Sequence, residues 1–363
     1  MKIALVHDWL FHMRGGEKVL EAFSELYPDA VIHTLFYDRD KLSPPLQRMK
    51  IKASPLQCVP GIKRFYRWLL PILPAMIQKI EIDPDTDLVL SSSHCVAKGI
   101  RIPPKAFHVS YIHTPMRYLW GFEKDYFGNF PFWIKPFIKL LLRPLRIWDL
   151  ESNKKVSLFI ANSENVRSRI KNFYGREAKV IHPPLDTNAY QAGPHDGDFY
   201  LVVSAFVPYK KVDLVIETFN ALDRKLLIVG SGPMEKRYKQ LRKTDRISFL
   251  GSVSNQELSK IYSQAKALIF PTNEDFGIVP LEAQACGTPV IALKEGGALE
   301  SVKTGLFFSG QTKEALRKAI LEFEGENFDR TQIPSQVESF SKEFFKQRIK
   351  ECVTNEMASR SLS

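Results

Sequence analysis

Short apolar runs alternate with longer amphipathic stretches along the whole chain, and that alternation limits the fold more than any other feature. KIALVH (2–7), VIHTLFY (31–37), DLVLSSS (87–93), HVSYIH (108–113) and SLFIANS (157–163) are near-continuous apolar runs in the first half. YLVVSAF (200–206), KLLIVGS (225–231), RISFLG (246–251), ALIFP (267–271) and TPVIAL (288–293) repeat the pattern in the second. Such runs are strands buried on both faces, and strands of that kind build parallel sheets covered by helices. Helical periodicity fills the gaps, as in VDLVIETFNAL (212–222) and SNQELSKIYSQA (254–265). The latter opens with Ser254 and Glu257, three residues apart as in a capping box.

Two such series are present. Between them, IHPPLDTNAYQAGPHDGD (181–198) replaces the periodic pattern with Pro, Gly, Asp and Asn, the composition of a linker. The expected architecture is α/β, with Rossmann-like parallel-sheet domains over 1–187 and 188–335 and a last helix within 336–363. Phe340, Phe344, Phe345, Ile349 and Val353 give that tail one apolar face. Doubly wound sheets bind ligands at the carboxyl ends of their strands, so two of them predict a shared central cleft.

Composition narrows the function classes. The 363 residues are 44% hydrophobic and 25% charged, as in an ordinary globular protein. Four scattered cysteines without a Cys-x-x-Cys pair point to a thiol-reducing compartment and away from a structural metal. His7 and Asp8 interrupt the apolar N-terminus, which reads as a first strand and not as a secretory signal. The net charge of +11 is lopsided: residues 1–187 carry 28 Lys+Arg and 18 Asp+Glu (28 − 18 = +10). The first domain therefore faces something anionic. VPGIKRFYRWLLPILPAMIQKI (59–80) and FPFWIKPFIKLLLRPLRIW (130–148) mix aromatics, aliphatics and cations, and proline breaks both. Each is too interrupted to span a bilayer. They read as two helices that cover the sheet or lie on an anionic membrane surface. No recognition helix, RNA-binding aromatic signature or zinc module accompanies the basic domain, which argues against nucleic acid.

Three segments carry residues suited to chemistry. Gly15 and Gly16 follow the first strand, where paired glycines let backbone approach an anion at a helix N-terminus. They do not form the Gly-x-Gly-x-x-Gly fingerprint of dinucleotide enzymes. Gly230-Ser231-Gly232-Pro233 follows a buried strand and reads as a second such terminus or a plain strand-to-helix turn. In the third segment Glu274 ends a loop and Glu282 lies about one turn into a helix starting near Gly277. Carboxylates accept hydrogen bonds from vicinal hydroxyls, so this pair suits a ribose on one side and a hexose on the other. His113 and His94 follow strand ends, as site residues or as satisfied core histidines. No Gly-x-Ser-x-Gly elbow supports hydrolase chemistry.

The segment NEDFGIVPLEAQACGTPVIALKEGGALE (273–300) closely resembles the Glu-x7-Glu signature of glycosyltransferase family 4, retaining enzymes of the GT-B fold. The resemblance extends to VPYKKVDLVIETF (207–219), LIVGSGP (227–233) and ISFLGSVSNQELSKIYSQA (247–265). YIHTPMRYLW (111–120) is similar to a subgroup that builds bacterial surface polysaccharides, many of them mannosyltransferases. The resemblance implies an acceptor-binding first domain, a donor-binding second domain and a last helix that crosses back to the first. It implies that Glu282 binds the donor ribose, Glu274 the donor sugar, and Lys210 the diphosphate. Gly15 and Gly16 would approach the same phosphates or the acceptor, and His113 would lie near the donor sugar. Backbone at Phe276, Gly277 and Ile278 would cradle sugar and phosphate. Gly230 and Gly232 would belong to the same donor site.

No metal or cofactor is implied; the nucleotide-sugar, GDP-mannose or a UDP-sugar, is a substrate. The acceptor would be lipid-linked or a glycan, met in the cytoplasm or at the inner membrane face during lipopolysaccharide synthesis. Two positions depart from the pattern: Ala205 stands where the family usually has arginine, and Lys211 where it usually has glycine, a second donor-site cation that compensates only if it points inward. Loss of that guanidinium removes a bidentate phosphate donor. An impaired binding partner in a polysaccharide assembly is therefore a competing reading, and a nucleotide-sugar epimerase is another.

Overall fold

The computed structural model describes residues 1–122, 131 and 133–361; Phe130 and Phe132 of the 130–148 stretch lie outside the described residues. The chain divides into two units, Met1–Pro184 with Glu343–Ser363, and Leu185–Lys342. The second division thus falls seven residues beyond 335.

The first unit holds a seven-stranded parallel sheet. Its strands are β1 (Ile3–His7), β2 (Val31–Thr34), β3 (Lys50–Ala53), β4 (Leu88–Ser93), β5 (Phe107–Ile112), β6 (Leu158–Ala161) and β7 (Lys179–Val180), in the order β3-β2-β1-β4-β5-β6-β7. The second unit holds six parallel strands: β8 (Tyr200–Val203), β9 (Leu226–Val229), β10 (Ile247–Gly251), β11 (Leu268–Phe270), β12 (Val290–Leu293) and β13 (Gly305–Phe308). Their order is β10-β9-β8-β11-β12-β13. Both sheets therefore reverse direction of growth once, between β1 and β4 and between β8 and β11. At such a switch point the flanking connections leave to opposite faces and open a crevice beyond the strand ends.

The helices that bear on function are α1 (Gly15–Leu26), α2 (Lys135–Ser152), α3 (Glu164–Tyr174), α4 (Val212–Phe219), α5 (Glu235–Leu241), α6 (Asn255–Gln264), α7 (Ile278–Ala285), α8 (Lys313–Phe323) and α9 (Lys342–Ser361). The capping box on α6 is formed: Ser254 N–H donates to Glu257 Oε2 at 3.0 Å, and Glu257 N–H to Ser254 Oγ at 3.3 Å. Residues 59–80 do not make one helix. They split into turns at Ile62–Phe65, Tyr66–Leu69 and Leu73–Gln78. Gly61 enters with φ 74°, and Pro71 and Pro74 each lack the N–H that would carry a helical ladder across residues 69–74. In contrast, α2 runs on through Pro144.

The tail behaves differently from a single amphipathic helix over 336–363. Pro334–Phe340 is a 3-10 turn whose Phe340 is buried in the second unit's core beside Leu185, and α9 starts at Lys342. Phe344 is 40% exposed, while Phe345, Ile349, Cys352 and Val353 join the first unit's core with Leu5, Phe23 and Tyr111. Phe345 stacks on Phe23 with ring centroids 5.8 Å apart and meets Tyr111 edge-on at 5.8 Å. All five tryptophans lie between residues 9 and 148, so their emission reports on the first unit alone. Deleting a buried phenyl ring costs about 3–5 kcal/mol. Phe345→Ala is expected to lower the tryptophan-monitored unfolding free energy by that much; an unchanged value would show that α9 is dispensable to the first core.

Candidate functional site

In the first unit, site residues gather where β1 and β4 end. His7 closes β1 opposite Ser92 of β4. Ser92 Oγ lies 3.1 Å from His7 Nδ1 and 2.8 Å from His113 Nε2, so one hydroxyl bridges two imidazoles. It accepts from one ring and donates to the other, which suits two neutral histidines. His94 completes the group, with ring centroids 5.9 Å from His7 and 6.4 Å from His113. The next residue, Asp8, is fully buried. Its carboxylate accepts from the backbone N–H groups of His94 (2.7 Å), Cys95 (3.0 Å), Val96 (2.6 Å) and Ala97 (2.7 Å), and lies 3.0 Å from His94 Nδ1.

Gly15 and Gly16 are the first two residues of α1 itself. A Cβ on Gly16 would lie 3.3 Å from His7 Cε1 and 3.5 Å from His113 Nε2, whereas one on Gly15 would meet nothing within 4 Å. Gly16 is thus needed for close approach to the histidines, and Gly15 leaves open space. Burial holds the His113 pKa down to about 3, with His94 adding to the effect, and holds His7 well below its ordinary 6.5.

In the second unit, a second group forms where β8 and β11 end. The Lys210 ammonium is ion-paired with the Glu274 carboxylate, both largely shielded from solvent. Lys210 ends a 3-10 turn, and Lys211 follows in the left-handed region (φ 54°) as the cap of α4. Ala205, upstream in the same loop, is exposed. Gly277 (φ 92°) caps α7, whose first residue is Ile278; Phe276 before it is buried. The loop Asn273–Phe276 is pressed against a second glycine pair. Gly297 N–H donates to Glu274 O at 2.8 Å, and a Cβ on Gly297 would lie 2.2 Å from Phe276 Cα.

Glu282 is buried on α7. The Tyr262 hydroxyl from α6 donates to its Oε2 at 3.1 Å, and Tyr190 is hydrogen-bonded to it as well. Burial, then this carboxylate, pushes both phenols up, so both stay protonated as donors. Gly230 (φ 139°) and Gly232 (φ 154°) carry backbone no side chain adopts readily. A Cβ on either would strike the backbone of Ser204 or Phe206. The helix after them starts only at Glu235, past Pro233, so these glycines serve a close backbone crossing beside the Lys210 loop.

Among the described residues no group of three His, Cys, Asp or Glu is placed to hold a metal ion, and no helix is long and apolar enough to cross a membrane. Residues 189–338 match the family described as glycosyl transferases group 1. That match lies within the second unit, Leu185–Lys342. An uncharacterised glycosyltransferase of Methanocaldococcus jannaschii is 31% identical over 52% of this chain and 54% of its own length. A GDP-mannose-dependent alpha-(1-6)-phosphatidylinositol monomannoside mannosyltransferase of Mycolicibacterium smegmatis is 31% identical over 44% of this chain and 50% of its own. The matched stretch thus spans about half the length of these relatives. The Anabaena protein HepE, crystallised with UDP, superposes with a TM-score of 0.72 at 18% identity, covering 98% of this chain and all of that one. At that identity the likeness establishes the fold, two Rossmann-like parallel-sheet domains of GT-B type.

The sequence singled out His113, Gly16, Lys210, Glu274 and Glu282, but not the groups that hold them: Ser92, Asp8, Tyr190, Tyr262 and Gly297. Asp8 alone carried a local signal, an acid directly after a buried strand. The buried histidines set a pH dependence. Below pH 6.5 the unfolded chain binds protons that folded His7 and His113 refuse until far lower pH, His113 until about 3. Stability of the first unit is therefore complete above 6.5 and lost as pH falls toward 3. The tryptophan-monitored unfolding free energy is expected to drop by about 1.4 kcal/mol per pH unit for each of the two histidines across that window. His113→Gln should flatten the slope; an unchanged slope would remove His113 from this account.

Proposed function

We propose that this protein is a retaining glycosyltransferase that moves a hexose from a nucleotide-sugar to a lipid-linked or glycan acceptor in cell-surface glycan synthesis. The observation that carries this reading is the arrangement around α7, inside the glycosyl transferases group 1 match. A buried carboxylate held by two phenols, Glu282, lies on the helix, and a lysine–carboxylate pair, Lys210 and Glu274, stands before its N-terminus. Glu282 is the partner for ribose hydroxyls, with Tyr262 and Tyr190 holding its oxygens in place. Lys210 and the N-terminus of α7 receive the diphosphate, since cations and helix N-termini stabilise charge that builds on a leaving phosphate. Glu274 turns to the sugar hydroxyls, and a diphosphate would compete with it for Lys210. Backbone at Phe276, Gly277 and Ile278 lines that N-terminus, and Gly230 and Gly232 keep the neighbouring backbone crossing tight.

The first unit is assigned the acceptor side. His113 gives Nε2 to Ser92 and keeps Nδ1 for a sugar or acceptor hydroxyl, while Gly16 admits α1 close to the ring. Transfer then proceeds on one face of the sugar, without a metal, the leaving phosphate taking the acceptor proton. GDP-mannose is the first donor to test, as the Mycolicibacterium relative is named for it, and a UDP-sugar is the second, as HepE was crystallised with UDP. Ala205 favours a second reading, an inactive binding partner, because no guanidinium stands at that point of the phosphate loop.

Binding one of GDP, UDP, ADP or dTDP is expected to raise the melting temperature of the full chain; at about 100 times its Kd a ligand adds about 2.7 kcal/mol. Glu282→Ala should abolish the shift and Tyr262→Phe weaken it. No shift with any nucleotide at millimolar concentration would instead favour the inactive partner. With the donor so identified, Lys210→Ala should lower kcat by about 10²–10³-fold, as loss of a group that stabilises developing charge does elsewhere. NMR of the product should show the donor's anomeric configuration; an inverted linkage would overturn retention.

A further inference from the structure

The outer face of α2 plays no part in the chemistry proposed above. One side of this helix turns Ile138, Leu142 and Leu145 to the core cluster that also receives Ile62, Leu73 and Ile77 from the segment 62–78. Next to that side, Phe137, Leu140, Leu141 and Ile147 recur at helical spacing and are 55–66% exposed. Trp133, just ahead of the helix, is 61% exposed. On the segment 62–78, packed on the same cluster, Trp68 is 78% exposed. The sheet needs only the inner face of each element, so the fold does not account for the outer apolar groups. Single exposed apolar residues are ordinary, but a helical stripe of them with two tryptophans nearby marks an interaction surface.

Charge identifies the partner. Residues 41–80 contain eight Lys and Arg and no Asp or Glu, and residues 131–148 contain four and none. Arg143 is exposed beside the stripe. Lys63 is ion-paired with Asp38, and the remaining cations are in clear excess. Aliphatic and aromatic groups interleaved with such an excess match the interface of an anionic bilayer, where tryptophan favours headgroup depth and each free basic residue gains from the surface potential.

We propose that α2 and the segment 62–78 form a docking surface for an anionic lipid bilayer. The helix lies in the plane of the interface with Phe137, Leu140 and Leu141 among the acyl chains and Arg143 among the phosphates. Trp133 and Trp68 sit at headgroup depth.

The test is co-sedimentation of the full chain with vesicles of phosphatidylglycerol and phosphatidylcholine in equal parts, against phosphatidylcholine alone. Binding is expected to the anionic vesicles only, and to weaken by about tenfold or more when salt is raised from 0.1 to 0.5 M. Leu140→Asp combined with Leu141→Asp should weaken it by at least about tenfold while the tryptophan-monitored unfolding midpoint stays put. If that variant does not fold, Trp68→Ser and the salt series on the wild type decide the matter. Equal binding to both vesicle types, no binding at low salt, or binding indifferent to these substitutions overturns the proposal. So does a lipid-free dimer of the wild type that the double variant abolishes, since the stripe would then be a contact between copies. Glu282→Ala should bind vesicles like the wild type, which separates failure of the docking surface from failure of the donor site.

Discussion

The carboxylate of Asp8 has no access to water and accepts four backbone N–H groups from one short loop. A buried charge is tolerated only when hydrogen bonds replace its hydration, and those four donors do so. The consequence is geometric. The end of β1 and the loop after β4 are locked together at the switch point of the sheet, and every polar group of the first unit's candidate site hangs from that lock. His7 precedes Asp8, Ser92 and His94 flank the loop, and His113 reaches back to Ser92. Without Asp8, four N–H groups would be stranded in the interior, and the histidines would lose their spacing.

The second unit reaches a similar result with almost no charge at its lock. Gly297 lets one turn of backbone settle on another, and its N–H holds the carbonyl of Glu274. A glycine there holds the loop because a missing Cβ permits a backbone contact that no other residue allows. The carboxylate of Glu274 is then left to pair with Lys210, sixty-four residues away in sequence.

Much of the architecture was legible in the amino-acid order, and the parts that were not share a cause. Ten strands appear as apolar runs; nine of them lie inside their sheets, and the tenth, β10, is an edge strand whose Ile247, Phe249 and Leu250 still give an apolar run. The three that do not, β3, β7 and β13, are all edge strands. Lys50–Ala53 alternates exposed with half-buried residues, Lys179–Val180 is two residues long, and Gly305–Phe308 is buried fully only at its last residue. An edge strand answers to one neighbour and partly to water, so its composition carries a weaker signal. The candidate site divides in the same way. Glu274 and Glu282 lie in one segment and are visible together. The phenols on Glu282 and the serine between His7 and His113 come from other strands and helices, and only the folded sheet brings them in. The helix break near residue 71 follows from Pro71 and Pro74, whose missing N–H groups interrupt an otherwise helical apolar pattern.

The first unit is closed by residues that the ribosome makes long after its sheet. Its sheet is complete by Val180, yet Phe345, Ile349 and Val353 belong to the same buried cluster as Leu5 and Phe23. Synthesis at about 5–20 residues per second leaves that cluster without its final members for about 8–35 s after the sheet has emerged. The second unit, one uninterrupted stretch, finishes within that interval. Of the two units, the one whose sheet is made earlier is therefore the later to mature, and during that delay Phe23 and Tyr111 lack the side chains that finally cover them.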